Sequence, residues 1–461
     1  MGSDAGDGVI PYQLESESRD EQESKPSRDG SECKPPVVDL TIPSVLERDE
    51  FFQQDPHVFI VSWSGRPIFS RFELRDQQAS LVAVIAALIE NVHSLSDRLV
   101  SFTSTLRNGE SPATIYVSVQ GPLYLAAVSQ KLNSSSLKSM LDFIYNQVLL
   151  LLSQSAINML QTHPGYDLRN LMGGVDKLLC SQLRRSIAQI AFEANTVPSL
   201  PLPAKIRSKL GQSMIRHCRP SSRVLFILLL RGSALVQLVH VQGRPLPLSD
   251  CLLLITFANH MSALEMSDVI TPVCLPEFNS KAFVYAHLST VAGRLYLIQI
   301  TADNNDFSML QSYKGEFLED ISHSGLLSVI RQAPMRLPLD ALGITDKNVR
   351  HIIAISRKCG QLITSLVRSP YQDCVEDRRM CTDRHRHVLT QLKSLPNASK
   401  VYLESTTKDT LVAVRTGSLD VLAIMSPLVS KIEAIQCIKK ASSSIQDQES
   451  FLFAMKFGIW S

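Results

Sequence analysis

His57-Val58-Phe59-Ile60-Val61-Ser62-Trp63-Ser64-Gly65-Arg66-Pro67-Ile68-Phe69-Ser70-Arg71-Phe72 is an apolar run, a polar turn and a second apolar run. β-branched and aromatic side chains dominate both runs, and Ser64-Gly65-Arg66-Pro67 supplies turn chemistry between them, so the stretch predicts a β-hairpin. Downstream, Leu81, Ile85, Leu88, Val92, Leu95 and Leu99 recur at helical spacing, which predicts one long helix from Asp76 to Leu106. Strands follow at Thr114–Gln120 and Leu123–Ser129, parted by Gly121-Pro122, and then helices at Ser135–Gln161 and about Leu168–Ala194. Two strands, a helix, further strands and closing helices describe an α+β layer with an antiparallel sheet flanked by helices.

The order then restarts. After the proline-rich segment 198–203, strands are expected at Arg223–Leu230 and Ala234–Val241, a helix at Ser249–Leu264, strands at Pro272–Pro276, Ala282–Leu288 and Arg294–Thr301, and a helix at Asp306–Ser322. A third pass has apolar segments Ile352–Ser356 and Leu362–Val367, a polar helix Asp373–Ser394, strands Lys400–Glu404, Leu411–Arg415 and Leu419–Met425, and a last helix Pro427–Ser442. The reading is three tandem copies of one topology. Its divisions are a disordered acidic tail at 1–53, a first domain at 54–196, a linker and connecting helix at 197–219, a second domain at 220–344 and a third at 345–461.

Composition agrees with several cores in one chain. The 461 residues are 44% hydrophobic and 20% charged, more than one core usually serves. Residues 1–50 hold thirteen Asp/Glu against five Lys/Arg, hence −8, which leaves +10 for the rest of a chain whose net charge is +2. The tail has little to bury and cannot offset the entropy of ordering. The basic residues of the body are scattered, without the aromatic-interleaved stripe of nucleic-acid binders, so nucleic acid is not an expected partner. Nine widely spaced cysteines do not read as a disulfide framework and suit a reducing cytosol. No stretch reads as a membrane span or signal peptide, and Gly6 stands where a myristoylation motif needs Ser or Thr, so membrane contact is expected to be peripheral.

Motifs for covalent chemistry are missing. There is no Walker loop, no dinucleotide fingerprint, no His-Glu-x-x-His and no nucleophile elbow. Gly173-Gly174 lacks the following Lys-Ser of a phosphate loop and reads as a helix break. Cys359, Cys374, Cys381, His385 and His387 are the best metal candidates, but structural zinc ligands usually come in pairs two to four residues apart, whereas Cys374 and Cys381 have six residues between them in a predicted helix. The expectation is a surface helix with incidental thiols, no metal and no cofactor. Arg378, Arg379, Arg384 and Arg386 on that helix are candidates for a phosphoinositide surface, weighed against a solvated face balanced by Asp373, Glu376, Asp377 and Asp383. On the long first helix, Ala83, Ala86 and Ala87 lie opposite the Leu/Ile stripe, with Glu90 beside them. An apolar back requires a cover, either a partner subunit or another domain of the same chain.

The segment His57 to Phe72 closely resembles the opening of the SAND/Mon family of vacuolar and late-endosomal fusion proteins. Tyr166-Asp167-Leu168-Arg169-Asn170-Leu171-Met172-Gly173-Gly174, the block from Thr271 to Leu288 and Ser369-Pro370-Tyr371 are similar to later blocks of the family, in order, so the resemblance spans about residues 55–461. It implies three tandem longin-type domains and a heterodimer with a Ccz-type tri-longin subunit. That complex is a guanine-nucleotide exchange factor for a late-endosomal Rab GTPase of the Rab-seven type, with an early-endosomal Rab as recruiter and a phosphoinositide membrane as platform. Such exchange drives endosome maturation and fusion with lysosomes, vacuoles or autophagosomes. It needs no covalent chemistry, because binding the nucleotide-poor GTPase more tightly is sufficient. With the resemblance, Trp63, Arg66, Pro67, Phe69 and Arg71 are expected to be exposed toward the Rab, and Ala83, Ala86, Ala87 and Glu90 to face the partner subunit. Ser18, in Ser18-Arg19-Asp20-Glu21, suits an acid-directed kinase. The location implied is cytoplasmic, with peripheral recruitment to endosomes and lysosomes. The alternatives are a non-catalytic longin-domain adaptor or tether, as in related Hermansky–Pudlak-type and Fuzzy proteins, and an enzyme whose site carries no motif.

Overall fold

The computed structural model describes residues 9–10, 12–15, 38–39, 55–71, 76–104, 112–162, 175–183, 186–218, 223–263, 268–395, 400–454 and 458–460. They fall into two compact units, residues 1–145 with 155–176, and residues 146–154 with 177–461.

The first unit holds β1 (Val9–Ile10), β2 (Tyr12–Glu15), β3 (Val38–Asp39), β4 (His57–Ser62), β5 (Pro67–Ser70), α1 (Asp76–Ser94), β6 (Arg98–Ser104), β7 (Ala113–Gln120), β8 (Leu123–Ser129) and most of α2 (Ser134–Thr162). Its sheet runs β2-β6-β7-β8-β4-β5. The expected hairpin is present, with Ile60 opposite Phe69 and a bulge before Val61 meets Pro67. β8, buried along its length, is the centre of the layer, since both its neighbours pair with it throughout. Leu81, Val82, Ile85 and Ile89 of α1 close the core over Phe59, Val61, Ile115, Val117, Ala126 and Val128.

Two expectations need correction in this unit. The long helix ends at Ser94, not Leu106; Ser96 takes φ +60° and the chain re-enters as strand β6. Leu95 and Leu99 therefore leave the helical stripe, Leu95 standing 78% exposed and Leu99 buried in the sheet. Of the region 1–53 only three short strands are described: β2 pairs antiparallel with β6, Tyr12 opposite Phe102 and Glu15 opposite Arg98, and β1 pairs with β3. An open sheet edge offers a row of unpaired amides and carbonyls, which an acidic segment with strand-forming residues satisfies. α2 is long and apolar enough to cross a membrane by length and composition, contrary to the sequence reading, but 61% of that window is buried in the fold, as in a core helix. Asn133 caps α2, its Oδ1 accepting from Ser136 N at 2.9 Å.

The second unit contains α3 (Val175–Leu183), α4 (Ser186–Glu193), β9 (Val197–Pro198), α5 (Ala204–Cys218), β10 (Val224–Arg231), β11 (Ala234–Val241), α6 (Leu248–Ala263), β12 (Val269–Leu275), α7 (Pro276–Asn279), β13 (Ser280–Ala292), β14 (Leu295–Thr301), α8 (Phe307–His323), α9 (Leu326–Gln332), β15 (Val349–Ser356), β16 (Gln361–Thr364), α10 (Val375–Ser394), β17 (Val401–Ser405), β18 (Thr410–Thr416), β19 (Leu419–Met425), α11 (Lys431–Asp447), α12 (Glu449–Leu452) and β20 (Gly458–Trp460). One helix expected over 168–194 is thus two, α3 and α4, and Leu168 to Gly174 lie outside the described residues.

Its sheets run β12-β13-β14-β10-β11-β20 and β17-β18-β19-β15-β16-β9. Set beside β6-β7-β8-β4-β5, each five-strand set has the spatial order third, fourth, fifth, first, second, with one helix (α1, α6 or α10) between the second and third strands. The repeat is therefore topological as well as sequential. Sheet-centre strands such as Val224-Leu225-Phe226-Ile227-Leu228-Leu229-Leu230 are apolar on both faces because helices cover both.

The sixth strands cross the expected divisions. β9 runs parallel to β16 of the third sheet, and β20 at the chain's end runs parallel to β11 of the second. Arg207 of α5 is 3% exposed and binds the Val236 carbonyl at 2.9 Å, the Leu200 carbonyl at 2.5 Å and the Phe451 carbonyl at 3.4 Å. Residues 197–218 thus bond to both sheets.

Candidate functional site

The turn of the first hairpin is held by one serine. Ser62 Oγ accepts from Arg66 N at 3.1 Å and lies 2.9 Å from Ser64 Oγ, while Ser62 N donates to the Arg66 carbonyl and Gly65 N to the Ser62 carbonyl. Gly65 takes φ +78°, a conformation that a side chain would strain. Trp63 N donates to the Pro122 carbonyl at 2.9 Å, which ties the turn to the neighbouring β7–β8 turn. A fixed backbone thereby presents Trp63, 45% exposed, with Arg66 and Pro67 exposed beside it. A large indole outside the core on a pinned turn is what a protein-docking anchor needs.

Two members of the expected set behave differently. Phe69 is buried, 3% exposed, and belongs to the core, because the bulge at Ile60/Val61 turns it inward under the sheet. Arg71 is half-buried and spends its Nη1 on the Pro56 carbonyl at 2.5 Å, so it braces the hairpin's base.

On α1, Ala83 and Ala87 are exposed, Ala86 is half-buried and Glu90 is exposed. Val84 and Leu88 flank them half-buried, which makes the outward face of the helix low, apolar and flat over two turns. Glu90 also accepts a short hydrogen bond from the Tyr124 hydroxyl. Burial, followed by the Glu90 carboxylate, pushes that phenol well above its ordinary range. Ala86 sits against a shallow apolar recess with Phe59, Val61, Val82, Ile85, Ile89, Tyr124 and Ala126.

The arginines of α10 divide. Arg378 and Arg379 are exposed at its first turns. Arg384 leans on Asp409 at 3.6 Å, a fully buried carboxylate that also takes Arg350 at 2.5 Å and the Tyr371 hydroxyl. Arg386 is not on the surface at all. It is 5% exposed, and its Nε donates to Glu193 at 2.5 Å, with Asp383 at 3.8 Å. Burial pushes the Glu193 carboxyl up, and Arg386 and Lys393 pull it back down. Arg386 is a buried ion-pair partner and leaves the lipid-binding set for that reason.

The five metal candidates also separate. Cys374 is exposed and caps α10, its Sγ accepting from Asp377 N; Cys359 is half-buried in the β15–β16 connection; His387 pairs with Glu404 at 2.7 Å. Only Cys381 and His385 come together, and they do so with His351 of β15, which sequence spacing did not single out. Ser18 lies outside the described residues.

Comparison with known proteins follows the same architecture. Residues 56–181 match the family model described as the first longin domain of FUZ, MON1 and HPS1, and residues 222–319 match the second longin domain of the same proteins. Protein SAND of Takifugu rubripes is 27% identical over 409 residues, which covers 87% of this chain and 76% of that protein. The vacuolar fusion protein MON1 homolog A of Gallus gallus is 28% identical over 407 residues, 87% of this chain and 72% of that one, and the vacuolar fusion protein MON1 of Yarrowia lipolytica is 28% identical over 363 residues, 77% and 65%. Two longin domains of the FUZ, MON1 and HPS1 type, matched in order, and relatives aligned along most of their length make this a longin-domain chain that is similar to the SAND and MON1 proteins.

Proposed function

We propose that this protein acts in membrane fusion at vacuoles and endosomes, as the names of its MON1 relatives suggest, and that it does so as one subunit of a heterodimeric guanine-nucleotide exchange factor for a late-endosomal Rab GTPase. The observation that carries the reading is the first longin domain, in which a pinned turn offers Trp63, Arg66 and Pro67 and helix α1 offers a flat Ala83/Ala87 face. Both are surfaces for proteins. Exchange by such a subunit requires only that it bind the nucleotide-poor GTPase more tightly than the loaded one, so side chains that displace a switch loop serve where an acid, base or nucleophile would in an enzyme. The Ala83/Ala87 face suits a Ccz-type tri-longin partner, since small residues let two helices approach closely. Arg378 and Arg379, exposed at the start of α10, would meet an anionic phosphoinositide surface after peripheral recruitment by an early-endosomal Rab.

A second reading, a longin-domain adaptor or tether without exchange activity, draws on the same family models, which also cover FUZ and HPS1. Release of a fluorescent nucleotide from purified Rabs, by this chain co-expressed with a tri-longin partner, separates the two. Acceleration for a late-endosomal Rab is expected. A stable complex that leaves every Rab at its intrinsic rate establishes the adaptor instead.

A further inference from the structure

Beneath α10, away from the surfaces above, three soft and borderline donors converge. Cys381 and His385 are four residues apart and so share a helix face. His351 reaches them from β15. The ligating atoms of the three lie within 4.8 Å of one another, and the side chains are 3%, 0% and 6% exposed.

The hydrogen bonds fix the protons. His351 Nε2 is 3.2 Å from the Ser365 carbonyl, which can only accept, so Nε2 carries the proton and Nδ1 carries a lone pair. That lone pair takes the N–H of His385 Nε2 at 2.7 Å. His385 Nδ1 is then itself a lone pair, fully buried and with no hydrogen-bond partner. The cluster thus has an acceptor in surplus and a thiol beside it, in a place where an imidazole pair built only for packing would need a further donor.

We propose that Cys381 and His385 bind a monovalent thiophilic metal ion, Cu+, with His351 as a positioning residue that holds His385 in the tautomer whose Nδ1 is free. Two collinear bonds of ~2.0 Å to nitrogen and ~2.3 Å to sulfur would span about 4.3 Å, and the three residues bring donor atoms within 4.8 Å of one another. The chain His385 Nε2–H to His351 Nδ1, and His351 Nε2–H to the Ser365 carbonyl, is the outer-shell arrangement that orients a ligating histidine. Ligand number and charge both choose the ion. A closed, buried zinc site takes four protein donors, more than the cluster holds. Asp409 and Arg336 act on Cys381 with opposite signs, and Cu+ on a thiolate is neutral and leaves that balance unchanged, whereas a divalent ion on one thiolate adds a positive charge. On binding, the Cys381 S–H proton leaves to solvent as the S–Cu bond forms, His385 binds through an existing lone pair, and no electron is transferred.

The test is anaerobic competition for Cu+ against bicinchoninate, with Cys374→Ser as parent so that the exposed thiol contributes nothing. The parent is expected to retain one equivalent more than the same protein carrying Cys381→Ser or His385→Asn, and His351→Gln to weaken retention at least ten-fold. Retention equal in the parent and Cys381→Ser, or loss of the bound ion to equimolar Zn2+, overturns the proposal. Should the variants misfold by circular dichroism, X-ray absorption of the loaded parent decides: one sulfur with one imidazole nitrogen supports the site, and a shell of sulfur alone overturns it.

Discussion

Trp63 and Phe69 share one hairpin and have opposite tasks. Trp63 stands out on the turn, and Phe69 fills the core under it. Trp63→Ala is expected to lower Rab exchange by the co-expressed complex about 30-fold, the size of a lost aromatic anchor, while the melting temperature of the chain stays within ~2 °C because little is unburied. Phe69→Ala is expected to lose about 3–5 kcal/mol of stability through the cavity it leaves, which a denaturant titration measures. Equal thermal losses in the two variants would place Trp63 in the core and remove it from the docking surface. Asp250 gives a pH signature at the same scale. It is fully buried at the start of α6 and accepts from Phe278 N at 2.8 Å and Glu277 N at 3.3 Å. Burial nonetheless outweighs these bonds and raises its carboxyl from 3.8 to about 6. A folded-state value above the unfolded one means that the protonated form favours folding. That contribution is complete below the unfolded value and is lost as pH rises through about 6. Between pH 5 and pH 7.5 the wild type should lose about 1.4 kcal/mol relative to Asp250→Asn, which keeps an acceptor without the charge. Parallel pH profiles for the two proteins would show that Asp250 is ionised throughout.

At the scale of elements, the α1 face makes a prediction that the fold itself does not feel. Ala87→Glu places a charge on an exposed position, so the purified chain should keep its melting temperature, yet co-purification with a tri-longin partner should fall at least ten-fold. Retained complex would assign the face to solvent. The same helix shows how far sequence carries and where it stops. Hairpin, helix type and the strands Leu123–Ser129, Ala234–Val241 and Leu419–Met425 were legible to the residue because turn chemistry and apolar runs are local signals. The end of α1 was not, since Leu95 and Leu99 continue a helical spacing while Leu99 and Ser101 also suit a strand, and the positive φ of Ser96 is invisible in composition. Phe69 was misread as exposed because a one-residue bulge at Ile60/Val61 changes which face it meets. Arg386 was misread as surface because its partner, Glu193, lies on α4, far away in sequence.

Over the second unit as a whole, the same blindness to distant partners hid β9 and β20, each of which extends a sheet other than the one its position in the chain suggests. Charge pattern and periodicity carry no information on which sheet edge a two- or three-residue segment will join. Yet these joints make the two later longin layers interdependent. Segment 199–202 bonds to the third sheet through Ser199 N and the Leu362 carbonyl at 2.9 Å, to the second sheet through Leu200 N and the Leu235 carbonyl at 3.0 Å, and to α12 through Leu202 N and the Phe451 carbonyl at 2.9 Å. Arg207 locks that segment from beneath, and removing it leaves the carbonyls of Val236 and Leu200 buried without this donor. Arg207→Met keeps most of the side chain's volume and is expected to cost on the order of 3–5 kcal/mol, because charged donors to buried carbonyls are stronger than neutral ones. The diagnostic readout is amide hydrogen exchange. If segment 199–202 is the shared joint, the amides of Leu200, which donates to Leu235 on β11, and Ser199, which donates to Leu362 on β16, must lose protection together in Arg207→Met. Loss confined to Leu200 would mean that the third sheet stands without the joint, and that the two layers unfold as independent domains.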